Sequence, residues 1–357
     1  MSAQQRDPSA ITVQTVLRDA ATIVDVRSPA EYAKGHIAGA INLPLFSDGE
    51  RAEIGTLYKL LGRERAIATG LEFLGARLPA FVQFFEPHRG SAIAVYCARG
   101  GMRSAAVAGL LSALGFRVTQ LPGGYKAFRN HLLSVFEQGL PPRLIVLHGR
   151  TGVGKTEILN RLDNSLDLED CAQHRSSLFG AINLQPRTQQ QFDAQLLAVL
   201  DRLEYAAPVW IEGESRKIGK VIMPEALRKA MQRATCVLVT ASLESRIDRI
   251  VAEYGRADQA TRAQCEGALR GLTIPLGKKR VEEMIARVRA DDYRPVVEAL
   301  LLDYYDPRYE HSMRNNRYAL TVSSDDPGQA VHALRALARG LSTPQARRDV
   351  RREGLAG

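Results

Sequence analysis

The sequence predicts an α/β protein built from two successive open sheets of parallel strands. Short, predominantly apolar runs such as ATIVDV, SAIAVY, RLIVLH and VWIE recur along the 357 residues and alternate with longer segments of helical periodicity. Strands that alternate with helices indicate parallel sheets, whose strands are buried on both faces. A stretch with Gly and Pro, EQGLPPR, interrupts this series near residue 137. We therefore expect a domain over residues 1–137, a linker over 138–143, a second domain over 144–342 and a flexible basic tail over 343–357.

Each expected element follows from its own pattern. In the first domain the strands are expected at ATIVDV, SAIAVY and RVTQL, and the helices at LYKLLGRERAIATGLEFLGARLPAFVQFF, RSAAVAGLLSALGF and YKAFRNHLLSVF. In the second domain the strands are expected at RLIVLH, PVWIE and TCVLVTA, and a helix begins at KTEILNRLDN. β-branched runs closed by Gly, Pro or charge favour strands, and apolar residues three and four positions apart favour helices.

The composition narrows the functional classes. Hydrophobic residues make up 45% of the chain, which is enough for a substantial core, and 48 Lys and Arg against 39 Asp and Glu give a net charge of +9. Such an excess favours a polyanionic partner, although it also serves solubility alone. The apolar runs are far shorter than the ~20 residues that cross a bilayer, and the first residues, MSAQQRDPSA, lack the apolar region of a secretory signal. We expect no membrane association and a cytoplasmic protein.

A single cysteine stands at the start of a loop rich in Gly and Arg, YCARGGMRS. Cys97 ends an apolar run, so its sulfur is expected at the N-terminus of the next helix, where backbone N–H groups favour an anion. Arg99 and Arg103 add positive charge, which favours the nucleophilic thiolate. Gly100 and Gly101 let the backbone turn its N–H groups inward. The alternative is that Cys97 is a small buried hydrophobe.

The first 135 residues resemble the rhodanese family of sulfurtransferases. The resemblance rests on IVDVRSPAEYAKGHIAGAINLP, followed by the cysteine loop and LPGGY. It implies a rhodanese-like fold in which Cys97 carries a persulfide or its selenium analogue. Four polar residues of the motif are expected to stabilise that fold: Asp25, Arg27, Glu31 and His36. The spacing C-x5-R is one residue longer than in a typical rhodanese and is similar to that of cysteine phosphatases, so the loop fits a thio- or selenophosphate and a phosphatase remains an alternative.

A second anion-binding turn follows the strand RLIVLH. GRTGVGKT satisfies the P-loop pattern G-x-x-x-x-G-K-[ST] at every fixed position and precedes a helical segment. Gly149, Gly152 and Gly154 are expected to expose N–H groups to a diphosphate, Lys155 to supply a charge and Thr156 to reach a Mg²⁺ ion. The pattern predicts a P-loop domain but does not determine what the diphosphate is attached to.

Charged residues at the end of the strand VWIE and just after it are weaker candidates. Glu212 and Glu214 are candidates for orienting Mg²⁺ or water, and Arg216 and Lys217 for contacting RNA. Solvated surface charge is the alternative for each pair. ASLESRIDRIVAEY resembles the arginine-bearing lid of small P-loop kinases, but its charge spacing favours an amphipathic helix with an outward charged face. No metal ligand is firmly assigned.

The domain order and four motifs, CARGGMRS, GRTGVGKT, IEGESRKIG and YYDPRY, resemble the tRNA 2-selenouridine synthase family. That resemblance implies an enzyme that converts 2-thiouridine at the tRNA wobble position to 2-selenouridine. It implies selenophosphate and geranyl diphosphate as substrates, an S-geranyl-2-thiouridine intermediate and no tightly bound cofactor. By the same resemblance the P-loop grips the prenyl diphosphate and Cys97 carries the selenium.

Two other functional classes stay open. A nucleotide-dependent sulfurtransferase or a kinase fused to a rhodanese-like domain would bind ATP at the same P-loop. A tRNA-binding module without enzymatic activity would keep its affinity after the loss of Cys97.

Overall fold

The computed structural model describes residues 12–138, 143–177, 179–254, 258–313 and 316–342. Most of the expected linker, 139–142, and the whole expected tail, 343–357, lie outside the described residues. The chain divides into two units. Unit 1 contains the described residues up to Gln138 together with Thr188–Leu197, and unit 2 contains the others. A domain over residues 1–137 does not include the segment Thr188–Leu197.

Unit 1 is a parallel sheet with surrounding helices. Its strands are β1 (Thr22–Asp25), β2 (Ile41–Asn42), β3 (Ile93–Tyr96) and β4 (Val118–Gln120). Its helices are α1 (Val13–Asp19), α2 (Pro29–Lys34), α3 (Asp48–Leu60), α4 (Arg63–Gly75), α5 (Leu78–Phe85), α6 (Met102–Ala113) and α7 (Gly124–Gln138), with a 3-10 turn at Glu86–His88.

Strand β3 is one of the two inner strands of the sheet of unit 1. The strand order is β2-β1-β3-β4, and every pairing is parallel. All four residues of β3 are buried, as its apolar sequence requires. Because the carboxyl ends of parallel strands lie at one edge of the sheet, β3 delivers Cys97 to that edge.

The polar residues of the rhodanese-like motif lie within the packing of unit 1. The Arg27 guanidinium donates to the Asp25 carboxylate at 2.6 Å and to the Gly35 carbonyl at 2.7 Å. Both charged residues are buried, so each satisfies the other's charge away from water. His36 stacks on Tyr32 with ring centroids 3.8 Å apart.

Unit 2 combines a longer parallel sheet with a cluster of helices. Its strands are β5 (Leu144–His148), β6 (Ser165–Leu166), β7 (Val209–Glu212), β8 (Lys217–Ile218), β9 (Val221–Ile222), β10 (Thr235–Thr240) and β11 (Tyr318–Ser323). The helices after α7 are α8 (Lys155–Leu159), α9 (Leu168–Ala172), α10 (Gln189–Leu200, whose residues to Leu197 belong to unit 1), α11 (Glu225–Gln232), α12 (Leu243–Tyr254), α13 (Gln259–Arg270), α14 (Thr273–Leu276), α15 (Lys278–Arg289), α16 (Tyr293–Leu300), α17 (Asp306–Met313) and α18 (Pro327–Ser342), with a π-helical turn at Leu301–Tyr305.

The main sheet of unit 2 has the order β11-β10-β5-β7-β6 and is parallel throughout. Two separate apolar clusters stabilise this unit. One packs on the sheet around Ile145, Val237 and Leu334, and the other joins α12, α13, α15 and α16 around Leu269, Val288 and Leu301. The predicted fold class, two successive parallel α/β sheets, is confirmed. Among the described residues, no helix combines the length and apolar character that a membrane crossing requires.

Candidate active site

The cysteine loop lies between β3 and α6 and is held closely against the turn that precedes α7. Gly100 has a φ of +62°, and a Cβ atom there would lie 2.8 Å from the Gly123 nitrogen. A Cβ atom on Gly124 would lie 2.3 Å from the carbonyl oxygen of Cys97. Both positions therefore need glycine, because a side chain would push the two turns apart. α6 begins at Met102, five residues after the cysteine.

The Cys97 thiol is buried but has polar neighbours. Only 3% of the residue is exposed, and it packs on the apolar core of unit 1. Ser104 Oγ donates a hydrogen bond to the sulfur at 3.1 Å. Burial raises the pKa of this thiol, but hydrogen bonds from Ser104 and the Arg99 backbone and the charge of Arg103 outweigh it, so the pKa lies below its usual value. The loop therefore favours a thiolate within a nearly closed environment.

The two arginines expected to form the anion cradle have different surroundings. Arg99 is exposed. Arg103 donates to the Glu31 carboxylate at 2.8 Å. Burial raises the pKa of Glu31, but the hydrogen bond and the charge of Arg103 lower it by more. The pKa therefore lies below its usual value, and this carboxyl stays ionised. Glu31, which the sequence assigns to fold stability alone, thus lies beside the loop and holds one of its two cations.

The P-loop connects β5 to α8 and has the backbone that its glycines require. Gly152 and Gly154 have φ values of +79° and +77°. A Cβ atom on Gly149 would lie 2.5 Å from the Val239 carbonyl oxygen of the neighbouring strand. Lys155 Nζ donates to the Gly149 carbonyl at 3.1 Å, so the ammonium group folds back over the turn. Burial lowers the pKa of Lys155, but nearby carboxylates, Glu214 foremost, raise it above its usual value.

Three carboxylates lie together beside Lys155. One oxygen each from Glu169, Glu212 and Glu214 lies within 4.8 Å of the other two. Glu212 ends β7 and is fully buried; its Oε1 accepts from the Glu169 backbone N–H at 2.9 Å, and its Oε2 has no hydrogen-bond partner among the described residues. Burial and the neighbouring carboxylates raise the pKa of Glu212 well above its usual value and that of Glu169 to about 7.

This donor set fits a divalent cation. Mg²⁺ prefers carboxylate oxygens, and a cation would stabilise the ionised form of acids that burial otherwise protonates. The unpartnered oxygen of Glu212 is the observation that supports this fit. The sequence indicates Glu212 and Glu214 but not Glu169, which comes from a separate helix, α9, after a loop with no recognisable motif.

Helix α12 turns two arginines towards the P-loop, contrary to the outward charged face that its sequence favours. Arg246 is buried, donates to the Thr151 carbonyl at 2.9 Å and forms a bidentate ion pair with Asp306. Arg249 lies against Gly154, whose Cβ atom would be 3.1 Å from the Arg249 Nε. Its Nη1 is buried and has no partner among the described residues. The spacing of the two arginines, one helical turn apart, is the sequence signal for this pair.

A cavity of about 730 Å³ joins these parts within unit 2. Its polar wall contains Gly152, Gly154, Lys155 and Thr156 together with Glu169, Glu214 and Arg249. Its apolar wall comes from the helical cluster and includes Leu269, Val288, Val297, Leu301 and Tyr305. The volume falls within the range of about 300–1,000 Å³ usual for small-molecule sites. Such a cavity suits a ligand with a phosphate group at one end and a hydrocarbon portion at the other.

Two of the weaker sequence candidates do not line this cavity. Arg216 and Lys217 are exposed; Arg216 precedes the β8–β9 hairpin and Lys217 is the first residue of β8. His148, next to the P-loop, packs against Gly213, whose Cβ atom would lie 2.5 Å from its Nδ1, and against the Tyr318 ring. Burial, followed by the charge of Lys155, lowers the pKa of His148, which favours a neutral imidazole.

The fold and these two turns define a rhodanese-like domain joined to a P-loop domain. Residues 12–131 match the model of the rhodanese-like domain, and residues 142–288 match that of the tRNA 2-selenouridine synthase AAA domain. A protein of Bordetella bronchiseptica named tRNA 2-selenouridine synthase is 34% identical over 90% of this chain and 96% of its own length. One of the same name from Psychromonas ingrahamii is 33% identical over 82% of this chain and 87% of its own. The chain belongs to the tRNA 2-selenouridine synthase family and is an enzyme.

Proposed function

We propose that this enzyme converts 2-thiouridine at the wobble position of tRNA to 2-selenouridine in two steps, in the cytoplasm. In the first step the P-loop domain transfers a geranyl group from geranyl diphosphate to the thiocarbonyl sulfur. In the second step selenium from selenophosphate replaces the alkylated sulfur, and Cys97 is the nucleophile that releases this selenium from phosphorus. The proposal draws on the family assignment for tRNA and for selenium.

The observation that carries the first step is the continuity of the phosphate-binding turn with an apolar cavity. Lys155 and Arg249 face the polar part, where the leaving diphosphate would develop its negative charge. Preorganised cations at such a position lower the barrier to bond cleavage. Leu269, Val297 and Leu301 would enclose the hydrocarbon chain, and each buried methylene contributes about 0.8 kcal/mol.

The proposed reactions balance without an oxidant. In the first step the sulfur–carbon bond forms as the carbon–oxygen bond to diphosphate breaks, and the N3 proton of the base is released. In the second step the Cys97 thiolate attacks the phosphorus of selenophosphate and releases hydrogen selenide. The selenium then forms a bond to C2 as geranyl thiol leaves with a proton, and water hydrolyses the S-phosphocysteine to phosphate and the free thiol. Alkylation is useful because a neutral thiol is a far better leaving group than a thiocarbonyl sulfur.

The acidic cluster of Glu169, Glu212 and Glu214 would bind a cation, and that cation would compensate part of the negative charge of the diphosphate. Glu169, Glu212 and Glu214, with Thr156 of the P-loop, would hold a Mg²⁺ ion. When bound, such an ion stabilises charge on the departing diphosphate. These side chains would otherwise repel the same group, so the cluster is better suited to an ion–diphosphate pair than to the diphosphate alone.

The test is mass spectrometry of tRNA nucleosides after incubation with geranyl diphosphate and then selenophosphate. We expect S-geranyl-2-thiouridine after the first addition and 2-selenouridine after the second. Dimethylallyl diphosphate, five carbons shorter, is the control for the cavity; the lost burial of about 4 kcal/mol would reduce transfer by up to roughly 10³-fold. Equal rates of transfer from both donors would contradict the proposal that the apolar wall of the cavity encloses the geranyl chain. Rapid ATP turnover with no prenyl transfer would support the nucleotide-dependent alternative.

A further inference from the structure

A basic hairpin, residues 215–222, follows the strand that carries Glu212. β8 and β9 pair antiparallel, with Ile218 opposite Val221 and Lys217 opposite Ile222. The two residues of the turn are Gly219, with a φ of +55°, and Lys220. Glycine with positive φ at the first position of a two-residue turn is typical of tight hairpins. The segment is therefore a defined structural element and not an irregular surface loop.

One face of this basic hairpin is fixed to unit 2. Ile218 is fully buried, and Val221 and the following Met223 are each 2% exposed. The turn packs so closely on His174 that a Cβ atom on Gly219 would lie 2.5 Å from the imidazole. The Met223 N–H donates to the Arg216 carbonyl at 3.0 Å, which closes the base of the hairpin. The backbone is thereby held in one position.

Three cations of the hairpin segment are exposed to solvent: Arg216 before β8, Lys217 on β8 and Lys220 in the turn. Within the part of the chain that the structure describes, no salt bridge joins any of them to a carboxylate. The nearby Glu225 instead pairs with Arg228. Exposed cations on a rigid two-stranded element resemble a row of phosphate contacts, since phosphates repeat along a nucleic-acid backbone.

The hairpin adjoins the cavity of unit 2 through two connections. Glu214, which lines the cavity, lies only two residues before Arg216. β8 packs against α9, the helix that carries Glu169 into the cavity wall. A polyanion bound to these three cations would therefore lie beside the cavity, while the acidic cluster would repel its phosphates from the interior.

We propose that the basic hairpin binds the sugar-phosphate backbone of the tRNA substrate and so holds the target nucleotide at the cavity. The inference rests on the proposed function, because it takes the RNA from that reaction. Unpaired nucleotides are the favoured target, since their bases can turn away from the backbone towards a pocket while the phosphates stay on the cations. The cations contact phosphate groups, which are the same for every base, so they position the RNA without selecting the base.

The test compares two triple variants of the full chain that lose the same charge. One is Arg216→Ala, Lys217→Ala, Lys220→Ala; the control is Arg202→Ala, Arg233→Ala, Arg317→Ala, which removes three exposed arginines elsewhere in unit 2. The measurement is the Kd for tRNA containing 2-thiouridine, determined by fluorescence anisotropy at several salt concentrations. We expect the hairpin variant to bind roughly tenfold or more weakly, with a salt slope reduced by about 0.7–0.9 for each phosphate that the variant no longer neutralises, and the control to bind like the wild type.

Additional measurements distinguish a failure of the hairpin proposal from a failure of the proposed function. Equal loss of affinity in both triple variants would mean that net charge alone attracts RNA, and unchanged affinity in the hairpin variant would also overturn the proposal. Geranyl diphosphate affinity, measured by calorimetry without RNA, should be unchanged in the hairpin variant; a loss there would mean that the cavity itself is damaged. If the wild-type enzyme neither binds nor modifies the tRNA, the proposed function fails. If it does both and the hairpin variant binds equally well, only the hairpin proposal fails.

Discussion

The cysteine loop and the P-loop use the same local device and differ in what surrounds it. Each follows a buried parallel strand, turns on glycines with positive φ and leads into a helix. Around Cys97, neighbouring turns close on the loop, and Glu31 neutralises Arg103. Around Lys155, the turn opens on a cavity of about 730 Å³ and Arg249 retains an unpartnered N–H group among the described residues. The first arrangement suits the activation of one atom, and the second suits a large anionic ligand.

Replacement of the nucleophile tests the first half of this comparison most severely. Cys97→Ser should reduce selenium incorporation by roughly 10³-fold or more, because a hydroxyl cannot take the place of a thiolate. Geranylation, which we assign to unit 2, should continue at near wild-type rate. Liquid chromatography with mass spectrometry would show S-geranyl-2-thiouridine accumulating. If this variant lost geranylation instead, the assignment of one step to each turn would be wrong.

Removal of the P-loop ammonium tests the second half. Lys155→Ala should slow geranyl transfer by roughly 10²–10³-fold, as expected when a preorganised group that stabilises developing charge is lost. Selenium exchange on tRNA supplied already geranylated should be unaffected, and this reaction is the internal control for folding. Parallel loss of both activities would indicate that the two turns do not act independently.

The parts of the structure that the sequence predicts are those that short-range patterns determine. The continuously apolar sequences before Cys97 and Gly149 predict the two buried parallel strands. Gly100, Gly152 and Gly154 have the positive φ that their turns require. Gly101 and Gly149 do not have positive φ.

Glu169 is not assigned from the sequence because it comes to the cavity from a separate helix that no local motif marks. Arg249 lies in the lid-like segment ASLESRIDRIVAEY, whose charge spacing favours an outward face instead. The apolar cavity wall cannot be predicted from the sequence either. Leu269 and Leu301 have the same helical periodicity whether the helices pack without a gap or leave a cavity between them.

The arginine that faces the P-loop backbone should contribute less than Lys155. Arg249→Ala would remove one charge-assisted hydrogen bond to the diphosphate, worth about 1.5–3 kcal/mol, and so weaken its affinity by roughly 10–150-fold. Inorganic pyrophosphate is the probe, with its inhibition constant for geranyl transfer as the measurement. Arg294→Ala, on the outer side of the same helical cluster where it pairs with Glu244 and Asp248, is the matched control. Equal inhibition constants in wild type and Arg249→Ala would remove this residue from the site.

The smallest expected effect concerns the ionisation of Cys97. Ser104→Ala removes the hydroxyl that donates to the sulfur at 3.1 Å. That hydrogen bond favours the thiolate, so its loss should raise the pKa of Cys97 from its lowered value, and alkylation by iodoacetamide should begin at higher pH. Per-residue labelling, followed by mass spectrometry, gives the curve for Cys97 alone.

Burial raises the pKa of Cys265 to about 11, which makes that thiol a comparator within the same sample. Ser112→Ala, on the exposed side of the same helix, should leave the midpoint unchanged. Since the thiolate form predominates only above the pKa, a midpoint that stays in place in Ser104→Ala would mean that Arg103 and the loop backbone suffice to ionise the sulfur.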